Sequence, residues 1–269
     1  YLQLNSKNKW LRYGMLAAIT LMIFSVIGSQ SRGAFLGLLA TSAFLIWKSR
    51  YRARFFALAA ALGFVAIWFV PESWVQRMES IADYRNDPSA MSRIHTWGWA
   101  VDLAQRYPLT GGGFEVYRDA TLYLSMVPEE EEPHNFHSVY FEVLGQHGFI
   151  GLAIFLLLVF STWRKFSKVI KISKKQTEYR WAYDLASMAQ VSLVAYLVTG
   201  AFLNLAFFDL FYVFVALSVV LYKHVTQESD ETSLRSLAPA LPETVAPART
   251  HPAILRPARG RTGAPQLRS

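Results

Sequence analysis

Residues 149–175 read FIGLAIFLLLVFSTWRKFSKVIKISKK: an apolar run from Phe149 to Trp163, closed by Arg164, Lys165, Lys168, Lys171, Lys174 and Lys175. An uninterrupted apolar run suits a helix that leaves water, and the cations that end it mark the side of the membrane it reaches. Five more apolar runs flank it, Tyr13–Gly28, Gly33–Trp47, Phe55–Val70, Leu185–Leu203 and Leu205–Tyr222. Several are shorter than the roughly 20 residues that cross hydrocarbon, so their helices must extend into flanking residues or sit in thin bilayer. The expected fold is all-α, a polytopic integral membrane protein with about six transmembrane helices.

Composition agrees. Of 269 residues 53% are hydrophobic and 17% charged, against roughly 25% charged in soluble domains. A disordered or fibrous chain is excluded, and a soluble helical protein would not need apolar runs of this length. With no cysteine, there is no disulfide framework and no thiolate metal site. The chain opens on Tyr1, and we expect it to be the C-terminal part of a longer protein with further spans upstream.

The basic residues orient the spans. With the N-terminus inside, every inner segment is cationic: Lys7, Lys9 and Arg12; Lys48, Arg50, Arg52 and Arg54; the cluster after Trp163 with Arg180; and Lys223 with the tail arginines. Of the 27 Lys and Arg only Arg32, Arg77, Arg85, Arg93, Arg106 and Arg118 fall outside. That bias satisfies the positive-inside rule, so the net charge of +8 signals orientation and lipid headgroups, and nucleic acid is not a required partner. The expected organisation is residues 1–70 with three spans, 71–137 as an outer (periplasmic) loop domain, 138–225 with three spans, and 226–269 as a disordered inner tail. That tail holds six of the 11 prolines and no apolar periodicity.

Within the outer loop, Asp87-Pro88 pairs an N-cap with proline at the first helical position. The predicted helix runs to about Tyr107, with Met91, Ile94, Trp97, Val101 and Ala104 on one face, and ends in Pro108 and Gly111-Gly112-Gly113.

Candidate chemistry collects at this outer side. Arg32, between the first two runs, has the planar fork that clamps phosphate; a snorkelling cation or a salt bridge is the bland alternative. Arg93 lies four residues before Trp97, on the same helix face, where the two can stack. His134 and His137 immediately precede a helical stretch beginning near Val139. A helix N-terminus disfavours imidazolium, and neutral imidazole is what a general base requires. His134, His137 and Glu129–Glu132 also allow a metal site, but without a definite ligand spacing a solvated acidic loop is the better reading. The spans hold almost no ionisable groups, which speaks against a non-enzymatic carrier or assembly subunit and for an outer-face enzyme.

Together these pieces resemble the bacterial O-antigen ligase and polymerase superfamily. Ser31-Arg32-Gly33-Ala34 opens a span; Arg93, Trp97, Pro108, Gly111–Gly113 and Phe114 follow in the loop; His137 stands eleven residues before Gly148, with Gly151 beyond. The stretch from Phe136 to Gly148 is most similar to the O-glycosylation ligases associated with exosortase systems. Ser138 replaces the asparagine that usually follows the histidine, and Gln146 the acid two residues before the glycine. His134-Asn135 offers a second His-Asn pair, so either histidine is a candidate base; only His137 keeps the distance to Gly148.

The resemblance implies a scaffold like the type C glycosyltransferases in the bacterial inner membrane, with a periplasmic active face. It also implies inverting, metal-independent transfer, with no cofactor, from a polyprenyl-pyrophosphate-linked glycan to a lipid or protein acceptor. A polymerase that joins lipid-linked repeat units shares the donor chemistry. On this reading Arg32 and Arg93 meet the pyrophosphate and His137 activates the acceptor hydroxyl. Trp97, Tyr140, Glu142 and His134 bind substrate, Trp99 offers a further aromatic surface for sugar rings or the lipid entrance, and Glu142 also orients His137. Asp209, at the outer turn between the last two spans, stays open.

Overall fold

The computed structural model describes residues 6–29, 31–49, 51–67, 87–127, 132–174 and 176–237, and these are helical with no strand among them. The helices are α1 Lys9–Gly28, α2 Arg32–Lys48, α3 Arg52–Ile67, α4 Pro88–Arg106, α5 Ala120–Met126, α6 Val139–Ser173, α7 Arg180–Gly200 and α8 Asp209–Leu237. Three described stretches are long and apolar enough to cross a membrane, Lys9–Val26, Val139–Ser173 and Asp209–Gln227, and Gly33–Lys48 is a shorter apolar helix. Leu21, Met22 and Phe24 of α1, Leu157 and Phe160 of α6, and Val213 and Val220 of α8 are turned outward. Such a surface is costly in water and suited to lipid, where helices satisfy their own backbone. Residues 68–70 of the third apolar run lie outside the described residues, and α8 carries residues 226–237, the start of the expected tail, as helix. The chain divides after Ser229, and the packing below belongs to the unit that ends there.

Close approach fixes the register of the bundle. Gly33 and Gly37, one turn apart on α2, meet Phe202 and Thr199 at the end of α7; a Cβ on Gly33 would lie 2.8 Å from the Phe202 Cβ. Small residues let helices touch where apolar burial gives no driving force, as in lipid. At the other end of α2, Lys48 Nζ donates to Gln190 Oε1 at 2.8 Å and to the Ser187 carbonyl at 3.3 Å, so α2 and α7 run antiparallel. α6 is likewise antiparallel to α7: a Cβ on Gly200 would touch Val139, while Gln190 Nε2 donates to Ser167 Oγ at 2.8 Å. Buried Val139, Val143, Phe155, Leu193, Tyr196 and Phe211 form one core at the upper level, and Phe166, Val169, Ala182, Ala186, Leu221 and Val225 a second below it.

α6 is two helices in series. Gly148, at φ 67° and ψ −166°, breaks it between residues 139–147 and 149–173, in a region open to glycine alone. The turn after α4 fills the break. Phe149 N–H donates to the Pro108 carbonyl at 2.9 Å, Gly112 N–H to that of Gly145 at 2.8 Å, and Gly113 N–H to that of Gln146 at 3.0 Å. A Cβ on Gly148 would stand 2.6 Å from the Pro108 oxygen, and one on Gly111 2.5 Å from the His147 nitrogen.

α4 starts as expected, with Asp87 Oδ1 accepting from Ser89 and Ala90 N–H and Pro88 in the first turn. Its buried face differs from the expected one: Thr96, Trp99, Ala100, Leu103 and Ala104 face inward, while Ile94 is exposed. Trp99 is the ring that goes inside, against Tyr123 at 4.8 Å and Phe136 at 5.3 Å, with small Ala100 beside it to make room.

Candidate active site

The segment before α6 holds the candidate base by both neighbours. Phe136 is fully buried and lies against Trp99 and so close to Gly145 that a Cβ there would come within 2.5 Å of its ring. Its amide donates to Asn135 Oδ1 at 2.7 Å and its carbonyl accepts from Trp97 Nε1 at 2.8 Å. On the far side Ser138, almost fully buried, takes the N-cap place of α6, and its carbonyl accepts the Glu142 amide at 2.8 Å. Between these anchors His137 takes φ 47°, a left-handed conformation that costs a residue with a side chain about 1–2 kcal/mol.

The imidazole is half-buried. Its pKa is lowered from the ordinary value of 6.5, first by burial, then by the Arg93 guanidinium, then by His134. Each cause disfavours the imidazolium, so the ring is neutral at pH 7 and able to accept a proton. Arg93 is itself half-buried, and among the described residues it makes no ion pair with a carboxylate. One turn further along α4, Trp97 stacks on Phe141 at 4.9 Å and 10° between planes. Thus α4 and the start of α6 bring Arg93, Trp97, His134 and His137 to one seam.

Other expected site residues are placed elsewhere. Trp99, expected to contact substrate, is 1% exposed and donates from Nε1 to Met126 Sδ at 3.3 Å; it is the centre of the outer core, because the face of α4 that packs is rotated from the one its apolar spacing suggests. Trp97 has one face on Phe141 and its N–H on the Phe136 carbonyl, so its closest role is to hold the segment before His137. The Tyr140 hydroxyl donates to the Leu197 carbonyl at 3.0 Å and its ring meets Phe155. Glu142 is 6% exposed and Oε2 accepts the Ala206 amide at 3.3 Å. Both are turned toward α7 and the turn after it, and the bond assigned to Glu142 is with that turn in place of the imidazole; five residues along a helix do not bring it back under His137. Asp209 opens α8 and is exposed.

The backbone of Arg32 begins α2 beside Phe202, at the end of α7 where Gly200 meets Val139. The starts of α2 and α6 are therefore neighbours across the end of α7. Among the described residues no three His, Asp or Glu side chains converge as a metal site; Glu129–Glu131 lie outside them. The interlock of Gly111–Gly113 with residues 145–149 is the feature the sequence reading missed. Its trace was the recurrence of glycine at 145 and 148 opposite a glycine-rich turn.

A sequence model of a family described as O-antigen ligase matches residues 17–156, a stretch that runs from α1 through the α4–α6 seam into the helix beyond Gly148. No curated protein matches the chain.

Proposed function

Because the chain belongs to the O-antigen ligase family, and so to membrane enzymes that act as glycan ligases or polymerases, we propose that it transfers a glycan from a polyprenyl-pyrophosphate carrier to an acceptor hydroxyl at the α4–α6 seam. The acceptor oxygen attacks the anomeric carbon as the bond from that carbon to the pyrophosphate breaks. The hydroxyl proton passes to neutral His137, and the bonding electron pair leaves with the pyrophosphate. Arg93, and Arg32 from the start of α2, meet the negative charge that develops there. The observation that carries the reading is His137, held at the mouth of α6 with a depressed pKa beside a half-buried arginine that has no carboxylate partner among the described residues.

Six spans with the loop of residues 71–137 outside, in the bacterial inner membrane, complete the proposal; the distribution of Lys and Arg supports it. Similarity to the O-glycosylation ligases favours a protein hydroxyl as acceptor over a lipid one. The test is mass spectrometry of surface glycoconjugates from cells making the protein intact or as His137→Ala at matched membrane levels. Loss of the linked glycan with accumulation of lipid-linked donor is the expected result, and the modified species names the acceptor. A ladder of repeat units that collapses to single units in the variant assigns polymerisation instead. Unchanged attachment removes His137 as the base and leaves His134 as the candidate.

A further inference from the structure

At the end of the bundle away from His137, the last turn of α2, the start of α3 and the first turns of α7 enclose a groove of about 610 Å³. Its walls are of two kinds. Leu45, Ile46 and Phe55 give an apolar side, and Lys48 and Arg180 bring cations to its rim, with Asp184 beside Arg180 at 3.4 Å.

Lys48 is the unusual member. Its ammonium is half-buried and donates hydrogen bonds to two neutral acceptors, Gln190 Oε1 and the Ser187 carbonyl. Gln190 is fixed from behind by its bond to Ser167 Oγ. This network aims and holds a cation with no carboxylate partner among the described residues, and an ammonium withdrawn from water without a counter-charge is costly. Arg52 and Arg54 at the start of α3 add positive charge at the same end. Apolar walls joined to a cationic rim at the end of a membrane helix bundle match an amphiphile with an anionic head.

We propose that this groove binds an anionic phospholipid, its phosphate against Lys48 and Arg180 and its acyl chains along Leu45, Ile46 and Phe55. The lipid serves as a fixed structural ligand between α2, α3 and α7. The site stands apart from the transfer chemistry: along α7, Ser187 lies about 20 Å from Gly200, at the usual helical rise.

The test uses the full chain in mild detergent, titrated with dioleoylphosphatidylglycerol or dioleoylphosphatidylcholine, with bound lipid read by native mass spectrometry. Phosphatidylglycerol should be retained in excess. Lys48→Gln should reduce its retention by about fivefold, the effect of one cation near a headgroup, and Lys48→Arg should restore it. Arg180→Gln, on an exposed side chain, should weaken it as well and tests the site should Lys48→Gln fail to fold. Arg106→Gln, at the end of α4, should change nothing. Equal retention of the two lipids, an Arg180→Gln protein that binds as the parent does, or an equal loss in Arg106→Gln would overturn the proposal. So would displacement of phosphatidylglycerol by millimolar inorganic phosphate, which would mark a site for the free anion.

Discussion

His137 combines a strained backbone with a depressed pKa, and both have consequences that can be measured. The base form is the neutral ring, so lowering the pKa extends activity toward acid. Transfer should hold its plateau from neutral pH down through 6.5 and fall only below it, because protonation waits for the depressed value. Arg93→Gln removes one of the charges that disfavour the imidazolium. Its acid limb should move up toward 6.5 while its plateau drops, with initial rates against pH in proteoliposomes as the readout. A parent limb above 6.5, or a limb that stays in place in the variant, would remove His137 from the reaction. Trp97→Phe keeps the ring stacked on Phe141 but deletes the bond to the Phe136 carbonyl. Losing one such bond is worth roughly 0.5–1.5 kcal/mol, so kcat should fall roughly two- to twelvefold with KM nearly constant. A change confined to KM would instead make Trp97 a substrate contact. At this scale the chemistry of the side chains was legible and their aim was not. Arg93 and His137 were singled out by the family resemblance, His137 over His134 by its distance to Gly148. The apolar spacing put Trp97 on the packing face where the structure buries Trp99, and nothing announced a left-handed histidine, since that conformation depends on burying the phenylalanine before it.

Between elements, the decisive contact is the turn of residues 107–113 set into the break at Gly148. Asp87-Pro88 and the Pro108 to Gly113 breaker marked where α4 begins and ends, because caps and breakers act within a few residues. The pairing of that breaker with residues 145–149 is a tertiary contact between distant segments and leaves no periodic trace. Gly148→Ala tests it: the new Cβ meets the Pro108 oxygen at 2.6 Å and the backbone is in glycine's region. A loss of at least about 2–3 kcal/mol follows from strain and clash together, read as a lower melting temperature in detergent and a loss of transfer. Gly113→Ala has φ 92° but nothing within 4 Å of its Cβ, so it carries strain alone and should be the milder of the two. Were Gly148→Ala as stable as the parent, α6 would run straight through and the seam beside His137 would not have this shape.

For the molecule as a whole, charge bias speaks more plainly than helix length. α2 has 17 residues, short of the roughly 20 that hydrocarbon asks for, so length alone does not count the spans. The second half of α6, residues 149–173, extends about 37 Å at the helical rise and exceeds the hydrocarbon thickness. On the proposed topology its two ends face opposite sides, with the cations from Arg164 onward at the inner end. The chain has no cysteine, which makes the assignment directly testable with single introduced thiols. Ser125 in α5 and Thr177 between α6 and α7 are both exposed. In cells with a permeabilised outer membrane, a membrane-impermeant maleimide should label Ser125→Cys at once and Thr177→Cys only after the inner membrane is opened. The reverse order would turn the protein over and place His137 and Arg93 inside. Labelling of both at once would mean that residues 149–173 do not span, and with that the argument from their length and flanking charge would fall.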